Sequence, residues 1–272
     1  MPTLDDVLRE SGLPLAEARA LAAVALGLTR AQLITRGLEV PDAKRLAKLT
    51  ALFARRGAGE PVAYLTGERE FYGLPFRVSP AVLIPRPETE LLVDFALEVV
   101  GLAATARVLD LGTGSGCIAI AIAKQRPQAQ VTAVDRSGKA LAMARVNGQA
   151  LSVANVRFVE GDWFAASEGE ARYGLIVANP PYVAAGDPHL AQGDLRFEPA
   201  AALASGAEGL DAIRTIVAAA PAHLEAGGWL AFEHGYDQAE VCRELLARAG
   251  FKAVFSRRDL AGIERLSGGR YS

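Results

Sequence analysis

The sequence is poor in the residues that build metal centres and disulfide frameworks. It has two cysteines, Cys117 and Cys242, which lie far apart and have no CxxC partner, and three scattered histidines. Lone cysteines do not supply the paired spacing that a zinc site or a disulfide-stapled domain requires. We therefore expect no metal ion, and a chain that keeps its thiols reduced.

The chain also lacks a long hydrophobic run. Charged residues or glycine interrupt every apolar stretch before about 18 residues, the length at which a helix can span a bilayer. The opening stretch MPTLDDVLRE carries acidic residues and no apolar segment of the kind that a signal peptide contains. These features predict a cytoplasmic protein without a membrane partner.

A surplus of positive charge is absent as well. Lys and Arg number 29 against 31 Asp and Glu, which leaves a formal net charge of −2. A protein that binds nucleic acid mainly through phosphates is normally basic, so we expect no direct binding to nucleic acid. The 272 residues, 51% of them hydrophobic, suffice for one or two domains with a sizeable core.

The pattern of the sequence changes twice along the chain. Residues 1–58 carry apolar residues at helical spacing, which predicts a small all-α domain. Residues 59–86 mix aromatic residues, glycine and proline; EREFYGLPFRV predicts a β-hairpin turning at Gly73, and we interpret the stretch as a linker. In residues 87–272 short apolar strands alternate with helices, which indicates a doubly wound α/β sheet with ligands at the carboxyl ends of its strands.

A glycine-rich turn joins the first strand of this sheet to its helix. The turn consists of Gly112, Thr113, Gly114, Ser115 and Gly116. Glycines permit a tight turn and a close approach of the backbone to a ligand, but a plain strand–helix corner has the same pattern. Asp135 ends the next strand, where a carboxylate can accept hydrogen bonds from both hydroxyls of a ribose. Together, the turn and Asp135 predict a nucleoside cofactor.

The stretch DLGTGSG resembles motif I of the class I S-adenosylmethionine-dependent methyltransferases. The resemblance implies a seven-stranded Rossmann-like sheet, with S-adenosyl-L-methionine as donor and S-adenosyl-L-homocysteine as product. In those enzymes an acid after the third strand commonly meets the adenine amino group and an apolar ring flanks it. Asp162 and Trp163 in EGDWFAA fit these roles, although Trp163 also fits a half-buried core position. The glycine turn, Asp135 and Asn179 complete the implied cofactor site.

A second motif, Asn179-Pro180-Pro181-Tyr182, follows the strand LIVA. Proline has no N–H and restricts the backbone, so the Asn179 oxygen and the Pro180 carbonyl can both accept from one planar –NH2 group. The ring of Tyr182 can lie over the face of that group. Holding both hydrogens so that the nitrogen becomes pyramidal frees its lone pair for a methyl group. We predict Asn179, Pro180 and Tyr182 as catalytic residues, and these with Pro181 as the substrate site; the alternative is a proline-terminated strand with a buried tyrosine.

The NPPY motif resembles that of methyltransferases acting on adenine N6, cytosine N4 or protein glutamine N5, so it does not select the substrate. With the motifs above, EPVAYLTGEREFYGLPFRVSPAVLIPRPETE, DPHLAQGDLRFEPAAAL and EHGYDQAEVCRELLARAGF resemble the peptide chain release factor glutamine N5-methyltransferase family over nearly the whole chain. The family implies methylation of the GGQ glutamine of bacterial class 1 release factors, which aids translation termination, and an N-terminal domain that helps dock the release factor. It assigns no role here to Arg86, Glu88 or residues 196–199.

Three other functions stay open at this point. A relative with the same fold that methylates a glutamine of a ribosomal protein would differ in its N-terminal region and loops. An adenine N6-methyltransferase of nucleic acid would need a basic cleft or a recognition insert, which neither the charge balance nor the spacing of the strands shows. A non-enzymatic adenosine-binding module would have no use for the NPPY motif.

Overall fold

The chain forms two compact units, seen in a computed structural model that describes residues 2–101, 105–166 and 172–272. The first, called here the helical unit, comprises the residues up to Glu68 together with Ala191–Phe197. The second, the sheet unit, comprises Arg69–Leu190 and Glu198–Ser272. The domain boundaries that we place at residues 58 and 86 from the sequence stay predictions.

The helical unit contains the predicted N-terminal helices. They are α1 (Leu4–Glu10), α2 (Leu15–Leu26), α3 (Arg30–Thr35), α4 (Ala43–Gly57) and α5 (Val62–Thr66). Thr3 and Thr29 start α1 and α3 with capping boxes. In each, the threonine hydroxyl accepts from the backbone N–H three residues later, and the side chain of that later residue accepts from the threonine N–H. Leu21, Leu33 and Leu49 are buried in one apolar core, which holds these short helices together.

A segment from late in the chain completes the helical unit. Asp194 lies in this segment and accepts a hydrogen bond from Arg56 at 3.0 Å, while Arg56 also donates to Glu17 at 2.6 Å. Arg196 donates to the carbonyl of Ala58 at 2.7 Å. Residues far apart in sequence therefore meet in this unit, which helical periodicity in residues 1–58 does not reveal.

The predicted hairpin is present and consists of β1 (Glu68–Phe71) and β2 (Leu74–Arg77). Its turn is formed by Tyr72 and Gly73, both with positive φ (53° and 71°), as the tight turns that match strand twist require. Phe71 and Phe76 are almost completely buried in the core of the sheet unit. The hairpin thus contributes to that core.

The sheet unit is built on a seven-stranded sheet, as predicted. Its strands are β3 (Arg107–Leu111), β4 (Gln130–Asp135), β5 (Val156–Glu160), β6 (Tyr173–Ala178), β7 (Leu224–Glu233), β8 (Lys252–Arg258) and β9 (Glu264–Arg270). The order is β5-β4-β3-β6-β7-β9-β8, with β9 antiparallel to both its neighbours and the other pairs parallel. This arrangement confirms the doubly wound α/β fold.

Helices cover both faces of the sheet. They are α6 (Glu90–Val99), α7 (Cys117–Gln125), α8 (Gly138–Ala150), α9 (Asp211–Ala219) and α10 (Ala239–Arg248). Val108 and Leu109 are adjacent in β3 and belong to two different apolar clusters, because successive strand residues point to opposite faces. Leucine and isoleucine side chains of α6 and α7 fill one cluster, and those of α9 and α10 the other. Both faces of the sheet are therefore shielded from water, which explains the near-continuous apolar character of the central strands.

Strands β8 and β9 have no clear pattern in the sequence. Their stretches KAVFSRR and ERLSGGR mix charge, serine and glycine. A Cβ on Gly268 would lie 2.6 Å from the carbonyl oxygen of Leu230 and 2.7 Å from the ring of Phe255. Glycine is thus required where β9 passes between β7 and β8. Because glycine is uncommon inside strands, it also weakens the sequence pattern that would predict β9.

We expect Gly116→Ala to lower the free energy of unfolding by about 3 kcal/mol, because left-handed strain and overpacking add. Gly116 has a φ of 83°, and its Cβ would lie 2.9 Å from Ile120 Cδ1 and 3.1 Å from Ala144 Cβ. Gly250→Ala is the matched control: its φ is 90° and nothing lies within 4 Å of the added carbon. It should cost only about 1–2 kcal/mol. Urea unfolding followed by circular dichroism measures both losses; equal losses would contradict the packing argument.

Candidate functional site

The pairing of β3 with β6 brings the two sequence motifs together. Leu111 pairs with Ala178 at the end of these parallel strands, so Gly112 and Asn179 are the next residues at the same edge of the sheet. Strands β4 and β5 lie to one side of β3, and β6 lies to the other. This is the point where the strand order reverses, which is where open α/β sheets bind ligands.

A cavity of about 420 Å³ opens at this edge, within the range of small-molecule sites. The predicted residues in its wall are Gly112, Thr113, Gly114, Ser115, Asp135, Asp162, Trp163, Asn179 and Pro181. Gly116, Pro180 and Tyr182 lie outside the wall as the structure describes it. The fold thus gathers most of the predicted site residues around one space.

The glycine turn adopts a backbone that only glycine tolerates well. Gly112, Gly114 and Gly116 have φ angles of 73°, 56° and 83°. The backbone N–H groups of Gly112 and Thr113 both donate to the carbonyl of Val134 at 2.9 Å, which attaches the turn to β4. Gly116 caps α7 and packs closely against α8 rather than facing the cavity.

Asp110 supports the turn from below and has no part in the sequence prediction. Its carboxylate is fully buried and accepts a hydrogen bond from the Thr113 hydroxyl at 2.6 Å. Burial raises the pKa of Asp110 to about 7, although the hydrogen bond from Thr113 lowers it. The residue could have been suspected from its place at the end of β3.

Asp135 connects the turn to the following helix. One carboxylate oxygen accepts from the N–H of Gly114 at 2.9 Å, and the other from the N–H of Ser137 at 2.8 Å. Each carboxylate oxygen has a further lone pair, so both can also accept from a ligand in the cavity. Asp135 therefore has two functions available: shaping the turn and offering acceptors to a diol.

Asp162 and Trp163 follow β5 and border the cavity. Trp163 has a φ of 47°, rare for a bulky side chain and typical of functional loops. A Cβ on Gly112 would lie 3.5 Å from Trp163 Cζ3, so the indole lies close to the glycine turn. Asp162 is exposed and borders the cavity beside it.

Two residues that the sequence does not single out hold Asn179. Its side-chain Nδ2 donates to the Thr89 hydroxyl at 3.0 Å, and Thr89 donates to Glu233 Oε2 at 2.6 Å. Glu233 is buried, and burial raises its pKa while the hydrogen bonds of Thr89 and Tyr182 lower it. Glu233 ends β7, the neighbour of β6. A glutamate at the carboxyl end of a predicted strand is the one feature of the sequence that could have indicated a role for Glu233 at the site.

Tyr182 is anchored at two points. Its hydroxyl donates to Glu233 Oε1 at 2.9 Å, and burial, followed by the charge of Glu233, raises the pKa of the phenol. Its carbonyl accepts from Gln238 Nε2 at 3.0 Å. A Cβ on Gly209 would lie 2.2 Å from that carbonyl oxygen, so the backbone there passes close by. The NPPY motif is held firmly, while the stacking role of the Tyr182 ring stays a prediction.

The loop that carries Glu198 shapes another wall of the cavity. The Glu198 side chain is buried, accepts from the N–H of Ile84 at 3.2 Å and pairs with Arg86. Pro85 and Pro199, the neighbours of these residues, line the cavity. Arg86 and Glu198 thus tie two wall segments together.

The hydrogen-bond acceptors and apolar surfaces that line the cavity suit a nucleoside. Asp135 and Asp162 supply carboxylates, and Val82, Ile118 and Trp163 supply apolar surface. Aliphatic and indole surfaces pack against a planar base, while carboxylates accept from hydroxyl and amino groups. S-adenosyl-L-methionine fits this description.

The structure also bears on metal and membrane binding. Within the described ranges, no group of three or more His, Cys, Asp or Glu side chains is placed to hold a metal ion. Cys117 and Cys242 are both free thiols and buried. Among these same residues, no helix has the length and apolar character needed to cross a membrane.

Comparisons with known proteins cover both units. The chain is 55% identical to the release factor glutamine methyltransferase of Burkholderia pseudomallei, over 98% of this chain and 96% of that protein. It is 53% identical to that of Bordetella pertussis, over 99% of each. The profile of the PrmC N-terminal domain matches residues 5–67, and that of the methyltransferase small domain matches 88–203.

One solved structure illustrates the shared fold. A 16S rRNA methyltransferase of T. thermophilus, in complex with AdoMet and guanosine, aligns with a TM-score of 0.58. The alignment covers 75% of this chain and 50% of that one at 20% identity. At this identity the likeness extends to the fold alone.

The raised pKa of Asp110 predicts a pH-dependent stability. The folded protein keeps the Asp110 proton up to about pH 7, whereas the unfolded chain releases it near 3.8. The free energy of unfolding therefore falls as the pH rises between these values. Asp110→Asn keeps an acceptor for Thr113 and removes this part of the slope. Urea unfolding at several pH values compares the two proteins; a constant difference between them would contradict the raised pKa.

Proposed function

This chain belongs to the release factor glutamine methyltransferase family, and we propose that it methylates the side-chain amide N5 of the GGQ glutamine in bacterial class 1 peptide chain release factors. The donor is S-adenosyl-L-methionine, which leaves as S-adenosyl-L-homocysteine. The observation that carries the proposal is the meeting of the glycine turn, Asp135 and Asn179 in one cavity. Through this modification the protein serves translation termination.

The cofactor brings an electrophilic methyl group on a positively charged sulfur. In the proposed complex Asp135 accepts from both ribose hydroxyls with the lone pairs that Gly114 and Ser137 leave free. Asp162 meets the adenine amino group, and the indole of Trp163 flanks the base. Gly112 and Gly114 have no side chains, so the backbone of the turn can approach the rest of the cofactor closely.

The NPPY motif receives the glutamine amide. An amide nitrogen is a poor nucleophile because its lone pair is delocalised into the carbonyl group. The Asn179 oxygen and the Pro180 carbonyl accept its two N–H groups, which aligns the nitrogen with the methyl group and favours a pyramidal geometry. Alignment and preorganised acceptors are the main contributions that a protein makes to such a transfer. Bound S-adenosyl-L-methionine would supply the methyl group from its sulfonium sulfur and would leave as the neutral thioether. The proton released from the amide nitrogen would pass to water.

The helical unit is the surface that we assign to docking of the release factor. The profile of the PrmC N-terminal domain covers residues 5–67, nearly the whole of its main segment. Ile34 and Leu38, in α3 and the turn after it, are 67% and 83% exposed. Exposed apolar patches are typical of protein-binding surfaces, so these two side chains support the assignment.

The substrate is tested by mapping the methylated residue. The protein and labelled S-adenosyl-L-methionine are incubated in three separate reactions. The first contains a release factor, the second a ribosomal protein and the third duplex DNA. Mass spectrometry should place the label on the GGQ glutamine, and a release factor with alanine at that glutamine should take up none. Label on the ribosomal protein or DNA alone would overturn the proposed substrate.

Asn179→Ala should abolish most methyl transfer, because it removes an acceptor that aligns the reacting nitrogen. Loss of one preorganised hydrogen-bonding group lowers kcat by about 100- to 1,000-fold. Calorimetry should show cofactor affinity largely intact, which separates catalysis from binding. Near-normal turnover would refute the role given to Asn179.

Asp135→Ala should weaken cofactor binding by about 1–3 kcal/mol, because two ribose hydroxyls lose their acceptors. Titration calorimetry with S-adenosyl-L-methionine measures the change directly. A circular dichroism melt in the same buffer shows whether the variant is folded, since Asp135 also holds Gly114 and Ser137. Unchanged affinity would remove the ribose assignment.

A further inference from the structure

We propose that Thr89 and Glu233 are positioning residues that fix the Asn179 amide with its oxygen turned to the substrate. The three side chains form a relay, defined here as Asn179, Thr89 and Glu233 in that order. The inference rests on the proposed function in one respect: it takes Asn179 as the acceptor of the glutamine amide.

The direction of the relay follows from the hydrogens available. The hydroxyls of Thr89 and Tyr182 both lie within hydrogen-bond distance of Glu233 and favour its ionised form. The ionised form only accepts, so the one hydroxyl hydrogen of Thr89 points to Glu233 Oε2, 2.6 Å away. The Thr89 oxygen then has only lone pairs to offer to Asn179, whose nearest side-chain atom is 3.0 Å away. That atom must be the donating –NH2 group. The relay therefore decides an amide orientation that atomic positions alone leave ambiguous.

The orientation of the amide determines what the cavity offers to a ligand. Because the –NH2 group of Asn179 is committed to Thr89, its carbonyl oxygen is left as the free polar atom of the side chain. A flipped amide would set its oxygen against the Thr89 oxygen, with no hydrogen between them, at a residue that is only 2% exposed. Asn179 thus presents an acceptor, which is what an incoming amide N–H requires.

Tyr182 supports the carboxylate on which the relay ends. Its hydroxyl donates to Glu233 Oε1 at 2.9 Å, so both oxygens of Glu233 have a donor. Arg265 also favours the ionised form, whereas burial and the charge of Glu88 oppose it. An ionised Glu233 accepts from both hydroxyls at once, which a neutral carboxamide with its own –NH2 group cannot do.

The decisive comparison is between Thr89→Val and Thr89→Ser. Valine keeps the shape of the buried side chain and removes the hydroxyl, whereas serine keeps the hydroxyl. We expect Thr89→Val to lower kcat for release factor methylation by about 10- to 100-fold, with KM for the release factor and cofactor affinity nearly unchanged. Thr89→Ser should retain most of the wild-type kcat. Equal turnover in the two variants would overturn the relay.

Glu233→Gln tests the other end of the relay. Its –NH2 group must face Thr89 or Tyr182, both of which donate to Glu233 in the wild type. We expect a loss of kcat comparable to that of Thr89→Val. The double variant should have a kcat no lower than that of the less active single variant, because both changes break the same chain of hydrogen bonds. Fully additive losses would indicate two independent structural defects instead. This variant also replaces Thr89→Val as the test if valine prevents folding.

A second readout does not depend on the identity of the substrate. The side-chain –NH2 signals of Asn179, assigned in an NMR spectrum by their loss in Asn179→Ala, should exchange with solvent about tenfold faster in Thr89→Val than in the wild type. Unchanged exchange would refute the relay even if turnover falls. Failure of the wild type to methylate a release factor would instead refute the proposed function, and the exchange measurement would still decide the relay.

Discussion

The parallel pairing of β3 with β6 is the constraint on which the rest of the site depends. Leu111 and Ala178 are partners at the end of that pair, so the glycine turn and Asn179 leave the sheet side by side. Each motif alone is ambiguous: one resembles a plain strand–helix corner, the other a proline-terminated strand. Their adjacency at the point where the strand order reverses forms one cavity that both motifs border.

Buried carboxylates position the glycine turn and the NPPY motif around this cavity. Asp110 accepts from the hydroxyl of Thr113 in the glycine turn. Glu233 accepts from Tyr182 of the NPPY motif and from Thr89, which in turn accepts from Asn179. A buried acid is costly unless donors surround it, so each carboxylate requires a specific arrangement of its neighbours. The same requirement gives the neighbours one orientation, which a reaction limited by alignment needs.

Much of the fold follows from local sequence patterns. Helical spacing, the capping threonines and apolar strands are short-range signals, and they predict the N-terminal helices, the hairpin and the five parallel strands. Strands β8 and β9 depend on contacts across the sheet: Gly268 is required by Leu230 and Phe255, and its presence weakens the local strand signal. The placement of Asp194 beside Arg56 likewise depends on residues more than a hundred positions apart in the chain.

The sequence by itself determined the chemistry of this protein: a glycine turn followed by Asp135, an NPPY motif, and a family resemblance that the comparisons confirm. Only the tertiary structure decided which side chains support that chemistry. Thr89 precedes α6 and Glu233 ends β7, so no spacing along the chain links either residue to Asn179. Hydrogen bonds act over about 3 Å in space irrespective of separation in sequence, and only the folded sheet brings these three side chains within that distance.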